Sequence, residues 1–100
     1  MVKIETISDD SLDNAVKGLK AIAHPARLKI LCFLQEKEAT VNEIVEVTGM
    51  SQSAVSQHLS KMKAYNVLND RRDGNRVFYR LSEKEYNQLV NALCLIYDRK

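Results

Sequence analysis

The stretch from Ser51 to Leu59 carries the residues whose chemistry is most distinctive in this chain. Val55, Leu59 and Met62 recur at i, i+4 and i+7, the spacing that places an apolar stripe on one side of an α-helix. The short polar side chains fall together on another side: Gln52, Ser53, Ser56, Gln57 and Ser60. Uncharged hydroxyl and amide groups on one helix face can donate and accept hydrogen bonds at base edges in the DNA major groove. The pattern therefore predicts a DNA-reading helix, since a merely solvated face would more usually carry Lys and Glu.

Positive charge accompanies this helix along the chain. Residues 51–80 contain six Lys and Arg and two Asp, whereas residues 1–50 contain six basic and eight acidic residues. Phosphate contacts supply most non-specific affinity for DNA and need cations near the duplex. We assign phosphate contact to Lys61 and Lys63, and phosphate or minor-groove contact to Arg72 and Arg76.

Two helices are predicted at the start of the chain. Six apolar residues hold helical spacing after the capping candidates Ser8 and Ser11: Leu12, Ala15, Val16, Leu19, Ile22 and Ala23. His24-Pro25 breaks this first helix, and Pro25 suits the first position of a second helix, which we extend to about Lys37. The run 28–34 is apolar nearly all round, so we predict that the second helix is the core helix.

A short third helix and a tight connection precede the DNA-reading helix. Thr40 or Asn42 can cap the third helix, and Gly49 can end it. The connection 48–51 has the length and composition of a helix-turn-helix, and Ser51 can cap the fourth helix.

A β-hairpin is predicted after the fourth helix. Residues 67–72 and 76–81 are rich in Val, Phe, Tyr and Leu and are joined by Asp73-Gly74-Asn75, where Gly74 supplies a positive φ. Because side chains alternate between the faces of a strand, either Phe78 or Tyr79 packs inward. We expect Tyr79 to be structural or to contact the DNA backbone.

The last predicted helix begins near Ser82. Ser82 and Glu85 have the spacing of a capping box. The apolar residues beyond them share one helix face: Tyr86, Leu89, Val90, Leu93, Cys94 and Tyr97.

Length and composition exclude several classes of protein. A chain of 100 residues is expected to form one domain, residues 1–100. No apolar run approaches the roughly 20 residues of a membrane span, and the N-terminus lacks a signal-peptide layout, so we expect a cytoplasmic protein with no membrane partner. Nothing resembles a nucleophile with a base and an orienting acid, and three glycines leave little for a phosphate-binding loop. We therefore expect no enzyme and no cofactor.

The order of these motifs resembles the ArsR/SmtB family of bacterial transcriptional repressors. The resemblance rests on residues 23–28 (Ala-His-Pro-Ala-Arg-Leu), 51–59 and 71–81, and it covers nearly the whole chain. It implies a winged helix-turn-helix, mainly α with a small β-hairpin, in the order α1-α2-α3-α4-β1-β2-α5. It also implies a homodimer built mainly from the first and last helices. Each fourth helix would enter a major groove at one half of an inverted repeat in double-stranded operator DNA, with each wing along the backbone or minor groove.

The family comparison and side-chain chemistry together assign roles within the fourth helix. Gln52, Ser53, Ser56 and Gln57 are the expected contacts at or near base edges, and Gln can form a bidentate pair with adenine. His58 is a DNA-binding candidate too, but a hydrogen bond inside the domain or to a phosphate is no less expected.

The residues that bind metal in other family members are missing here. Metal sensors of one branch carry Cys-x-Cys in the third helix, where this chain has Val45-Glu46-Val47. Another branch binds zinc between the last helices with Asp, His and Glu, and residues 82–100 contain no His. We therefore expect no metal site and keep a metal-responsive repressor as an alternative.

Cys32 and Cys94 point to the dithiol branch of the family, which includes BigR, SqrR and HlyU. Those members respond to persulfides or oxidants through one cysteine on the second helix and one on the last, and Cys32 matches the first. Their second cysteine directly follows a tyrosine, whereas here Tyr97 is followed by Asp98 and Cys94 lies four residues earlier, about one helical turn or ~6 Å. A disulfide needs Cα atoms within roughly 7 Å, so this displacement could abolish it, while a polysulfide bridge tolerates more separation.

Two alternatives to a thiol-switched repressor remain open. Free cysteines are among the most buried residues, so both could be inert packing in a differently regulated member of the family. A winged helix can also serve as a protein-interaction module, which would expose apolar residues where this chain has polar ones.

Overall fold

A computed structural model describes residues 7–98 and contains five helices and one antiparallel hairpin in the predicted order. The elements are α1 (Asp9–Ile22), α2 (Pro25–Phe33), α3 (Val41–Thr48), α4 (Gln52–Ala64), β1 (Leu68–Asp73), β2 (Arg76–Leu81) and α5 (Glu85–Tyr97). The predicted fold class is thereby confirmed. Residues 1–6, on which part of the signal-peptide expectation rests, and both ends of the predicted 1–100 domain lie outside the described residues.

Side-chain caps begin three of the helices where the sequence indicates them. Ser8 accepts a hydrogen bond from the backbone N–H of Ser11, and Ser51 accepts one from Ala54, each at 3.1 Å. Of the two candidates for α3, Thr40 is the cap, and it forms a reciprocal capping box with Glu43. Gly49 ends α3 with a φ of 73°, a left-handed conformation that favours glycine.

The second helix is shorter than predicted, ending at Phe33 and not near Lys37. The backbone N–H of Glu36 donates to Oδ1 of Asn87 at 2.9 Å, and Gln35 Nε2 donates to Oδ1 of Asn91 at 2.8 Å. Glu36 itself has a φ of 56°. The bond from the Glu36 N–H to Asn87 therefore replaces a helical bond that would have continued α2.

The predicted capping box of the last helix is wrong. Ser82 Oγ donates to the carbonyl of Asn66 at 2.6 Å, and the N-cap position is occupied by Lys84 with no side-chain hydrogen bond. The loop after α4 provides a tertiary partner for Ser82, and α5 begins at Glu85.

The first strand of the hairpin begins and ends one residue later than predicted. The pairs run from Leu68 opposite Leu81 to Asp73 opposite Arg76, which leaves Gly74-Asn75 as a two-residue turn with Gly74 at φ 63°. A backbone bridge joins β2 to the segment before α3, with Tyr79 and Ala39 exchanging N–H···O bonds of 2.8 and 3.0 Å.

One apolar core joins these elements. Its buried residues come from every element and from the connections: Ala21, Ile22, Ile30, Leu31, Leu34, Ala39, Ile44, Val55, Leu59, Met62, Val67, Leu68, Leu81 and Val90. Ile30 and Leu31 are completely buried, which agrees with the prediction that α2 is the core helix. Of the helices between residues 7 and 98, none is long and apolar enough to span a membrane.

Candidate nucleic-acid interface and thiol pair

The orientation of α4 is set by its apolar stripe. Val55, Leu59 and Met62 have no exposed surface, so this side of the helix is sealed against the core. The opposite side presents the uncharged polar residues: Gln52, Ser53, Gln57 and Ser60 are exposed, and Ser56 is half-buried. Burial of the stripe leaves a continuous surface of hydroxyl and amide groups that can form hydrogen bonds with an external partner.

His58 differs from its neighbours because its ring turns into the protein. Arg27 Nε donates to His58 Nδ1 at 3.1 Å, and the His24 ring lies 5.0 Å away between centroids. Burial, followed by the nearby charges of Arg27 and His24, lowers the pKa of His58 because each disfavours the imidazolium. The hydrogen bond within the domain, one of the roles expected for His58, is present.

Arg27 is a residue that the sequence reasoning did not single out. Besides bonding His58, its Nη1 donates to the Ala21 carbonyl at 3.0 Å, which ties α2 to both α1 and α4. Arg27 also borders a shallow groove with Gln57 and Lys61. Arg27 lies inside the Ala-His-Pro-Ala-Arg-Leu motif, and this position was the sequence feature that could have identified it.

The two lysines of α4 have different surroundings. Lys63 Nζ forms an ion pair with Asp70 of β1 at 2.8 Å, and this hydrogen bond raises the pKa of the lysine. Lys61 is exposed beside the polar face of α4. Lys63 therefore connects α4 to the wing, the hairpin formed by β1 and β2.

The register of the wing separates its residues onto two faces. Tyr79 packs against the core, so its expected structural role is confirmed. Arg72 pairs with Val77 on that inner side near the tip, whereas Arg76 pairs with Asp73 on the outer side. The two predicted wing contacts are both exposed but lie on opposite faces.

The outer face of the wing carries a further arginine, Arg71. Its guanidinium lies over the Phe78 ring, 4.6 Å from the centroid, and that of Arg76 lies 4.9 Å from the same centroid. Arg71 also forms an ion pair with Glu38, which lies between α2 and α3. Neither contact could be read from the local sequence, because strand register and a distant loop bring these residues together.

Cys32 and Cys94 are both free and exposed, and their thiols interact. Partial burial of the Cys32 thiol raises its pKa, and so do the adjacent Cys94 thiolate and a hydrogen bond between the two side chains. A raised pKa leaves less reactive thiolate at neutral pH.

A polar seam joins the turn after α2 to the face of α5 that also carries Cys94. Asn87, Asn91 and Cys94 recur at i, i+4 and i+7 on one face of α5. Both asparagines bond the turn that follows α2, through Gln35 and the backbone of Glu36. The two amides thereby fix α5 against the turn after α2. Their helical spacing with Cys94 was the sequence feature that could have identified them.

Large apolar side chains are exposed mainly on the first and last helices. On α1 they are Leu12, Val16 and Leu19, and on α5 they are Leu95, Ile96 and Tyr97. Tyr97 is 81% exposed and Leu95 is 76% exposed. Of the described residues, no group of three or more His, Cys, Asp and Glu is arranged to hold a metal ion.

Comparisons with known proteins agree with this architecture. The family described as "Bacterial regulatory protein, arsR family" matches residues 24–70. The HTH-type transcriptional regulator YgaV of Escherichia coli is 36% identical over 88 residues, which cover 87% of this chain and 89% of YgaV. The transcriptional repressor BigR from Xylella fastidiosa has 32% identity and a TM-score of 0.85 over the full length of both chains.

A third similar protein was solved as an assembly. The homodimeric winged helix-turn-helix DNA-binding domain of Mb0332 from Mycobacterium bovis is described as a possible ArsR-family regulator. It has 31% identity and a TM-score of 0.82, covering 91% of this chain and 87% of that domain.

Proposed function

Because this chain belongs to the ArsR family of bacterial regulatory proteins, whose members are transcriptional regulators and not enzymes, we propose that it represses transcription by binding an inverted-repeat operator as a homodimer. The observation that carries this proposal is the two-sided chemistry of α4. Its apolar stripe is completely buried, and its opposite face is uncharged, polar and exposed. An apolar exposed face would have favoured the alternative of a protein-interaction module.

The base-reading residues are Gln52, Ser53, Ser56 and Gln57. Their amide and hydroxyl groups suit the donor and acceptor pattern of base edges. His58 supports this surface from inside through its bond with Arg27.

Phosphate contacts come from the basic residues around this face. Lys61 lies beside Gln57 on the same groove, and Lys63 lies where α4 meets the wing. Arg72 and Arg76 extend the contact from the two faces of the wing tip. A cytoplasmic location follows from this role, since the operator must be accessible to the protein.

The dimer forms through the apolar surfaces of α1 and α5. Side chains such as Val16 and Leu95 would be covered by a second copy of the chain, and burial of apolar area is the main driving force for such association. The homodimeric form of the Mb0332 domain supports the formation of a dimer. Two reading helices related by a two-fold axis would fit half-sites about one helical turn apart, roughly 34 Å.

A thiol switch through Cys32 and Cys94 regulates the repressor. The first thiolate accepts a sulfur atom from a low-molecular-weight persulfide, whose thiol leaves, and the second thiolate then forms a disulfide by displacing hydrogen sulfide. If both cysteines are first persulfidated, loss of hydrogen sulfide leaves a trisulfide. The exposure of both thiols favours this role over inert packing.

Crosslinking would join α2 covalently to α5 at the polar seam. Because α5 contributes to the dimer surface and α2 packs under the DNA-binding helices, the link alters the spacing of the two reading helices and releases DNA. The alternative is a metal-responsive repressor. The described residues contain no cluster of donor side chains that would support it.

DNA binding is tested by selecting duplexes from a random-sequence library and measuring fluorescence anisotropy with the selected duplex over a series of salt concentrations. We expect a selected sequence with inverted symmetry and an affinity that falls steeply with salt. Failure to enrich any sequence, or binding that does not respond to salt, would contradict a repressor.

The switch is tested by intact-mass measurement after treatment with glutathione persulfide. We expect a crosslink in the wild type that reducing agent reverses, together with weaker DNA binding. Cys32→Ser and Cys94→Ser should each block the crosslink and retain DNA binding. Thiols that stay unmodified in the folded protein would leave a repressor that is regulated differently.

A further inference from the structure

Arg71 of the wing is held by a residue from a distant part of the chain. Its Nε donates to the two carboxylate oxygens of Glu38 at 2.9 and 3.1 Å, and its Nη2 also bonds this carboxylate. Glu38 precedes Arg71 by 33 positions. A guanidinium binds carboxylate and phosphate oxygens through the same planar set of N–H donors.

The backbone places Glu38 beside the wing. The next residue, Ala39, exchanges two N–H···O bonds with Tyr79 of β2. Arg71 reaches across β2 over the Phe78 ring to meet the carboxylate. The ion pair is therefore a consequence of how the wing joins the segment before α3.

Arg71 belongs to a cationic surface on the outer face of the wing. Strand register puts Arg71, Arg76 and Arg80 on this face, and all three are exposed. Arg76, already proposed to contact DNA, shares the Phe78 ring with Arg71. A duplex that engages Arg76 thus brings its phosphates close to Arg71.

We propose that Arg71 is a further phosphate-contacting residue and that Glu38 is an intramolecular competitor, which holds Arg71 until a DNA phosphate replaces the carboxylate. This inference rests on the proposed DNA binding. It adds an autoinhibitory contact that sets the affinity of the wing for DNA.

The structure makes this exchange feasible. The side chains of Arg71 and Glu38 are 44% and 32% exposed, and ion pairs with such access to water contribute little net stability. The Phe78 ring, together with Asp73 at 3.9 Å from Nη1, keeps the guanidinium on the wing surface when a phosphate replaces Glu38. Arg80 also attracts Glu38, so the released carboxylate retains a neighbouring cation.

Glu38 remains an effective competitor at neutral pH. The hydrogen bond from Arg71, with smaller attractions from Arg71 and Arg80, holds the pKa of Glu38 below its usual value. The carboxylate is therefore ionised at neutral pH, as the DNA phosphates are.

The test measures anisotropy of a labelled mixed-sequence duplex and of the selected operator at several salt concentrations, with Glu38→Gln, Arg71→Gln and the double variant. We expect Glu38→Gln to bind about two- to fivefold more tightly than the wild type, the range given by losing one exposed ion pair. Arg71→Gln should bind more weakly and reduce the salt slope by about 0.9 per protomer, as expected for one lost phosphate contact.

The double variant distinguishes competition between Glu38 and DNA for Arg71 from general repulsion of DNA by the negative charge of Glu38. If Glu38 acts by holding Arg71, its substitution has little effect once Arg71 is absent. Glu36→Gln is the matched control, because it removes an equal charge from the same turn and lies outside the ion pair. Thermal unfolding of each variant by circular dichroism checks that the wing is still folded.

Three results would overturn the inference while leaving DNA binding intact. Glu38→Gln could bind no more tightly than the wild type, its gain could persist in the Arg71→Gln background, or Glu36→Gln could give an equal gain. Loss of binding by the wild type itself would instead contradict the proposed function.

Discussion

Adjacent residues on α4 have different roles because each step along an α-helix turns the side chain by about 100°. Gln57 is exposed on the polar face, whereas His58 is half-buried and accepts a hydrogen bond from Arg27. Substitution of single residues should therefore separate the proposed base and phosphate contacts from support of the helix.

Gln57→Ala and Lys61→Ala should have distinct effects on DNA binding. Loss of a base-edge pair costs about 1–3 kcal/mol on the selected operator and little on mixed-sequence DNA. Loss of a phosphate contact weakens binding to both duplexes and reduces the salt slope by about 0.9 per protomer. Anisotropy titrations distinguish the two, and Asn42→Ala, exposed on α3, is the control. Equal losses on both duplexes for Gln57→Ala would exclude it as a base reader.

The pH dependence of stability should report on His58. Burial, with the charges of Arg27 and His24, lowers its folded-state pKa below the ordinary value of 6.5. The unfolded chain therefore takes up this proton more readily, so the stability contribution is present above about pH 6.5 and falls as the pH drops toward the lowered pKa.

Urea unfolding of the wild type and His58→Asn at neutral and mildly acidic pH measures this contribution. Asn can still accept a bond from Arg27 but does not titrate. We expect the variant to lose less stability than the wild type on acidification. An unchanged loss would mean that other groups produce the acid sensitivity.

At the scale of elements, the connection between α2 and α3 contacts two elements with different roles. Gln35 and Glu36 bond α5, while Glu38 and Ala39 bond the wing. The short α2 is what frees this segment to make both sets of contacts. A crosslink between α2 and α5 would therefore act close to the attachment of the wing.

Asn91→Ala should slow crosslinking of Cys32 to Cys94. Its loss removes one bond from the seam, a change of about 1 kcal/mol, so Cys94 samples more positions relative to Cys32. A time course of intact mass should show crosslinking slowed by about fivefold, while persulfide uptake by Cys32 in the Cys94→Ser background is unchanged. Gln88→Ala on the exposed side of α5 is the control. An unaltered rate for Asn91→Ala would show that the seam does not position the thiols.

At the scale of the whole molecule, the exposed apolar surface of α1 and α5 stands apart from the polar face of α4. Apolar residues of α2, α4 and the hairpin are buried in one core, whereas side chains such as Leu19 and Tyr97 remain exposed. A second copy that covers them would make the two reading faces act together on one operator.

Leu95→Glu should shift the protein toward monomer. A charge buried against apolar side chains of a second copy has no partner and costs several kcal/mol, roughly 2–4, in dimer affinity. Analytical ultracentrifugation measures the change, and operator affinity should fall with it. Val47→Glu adds the same charge at an exposed apolar position on α3 and is the control. A dimer that resists Leu95→Glu and dissociates with Val47→Glu would move the interface to α3.

Local sequence patterns were sufficient to predict the order of elements, three helix caps and the polar face of α4. These features depend on residues a few positions apart, since caps and helical stripes arise from contacts within one or two turns. Tertiary structure decided where α2 ends, which partner Ser82 takes and which way the His58 ring faces. It also brought Cys32 against Cys94 and Glu38 against Arg71. The residues that meet in these features lie at least 16 positions apart, and no local pattern specifies which distant groups the packed core will bring together.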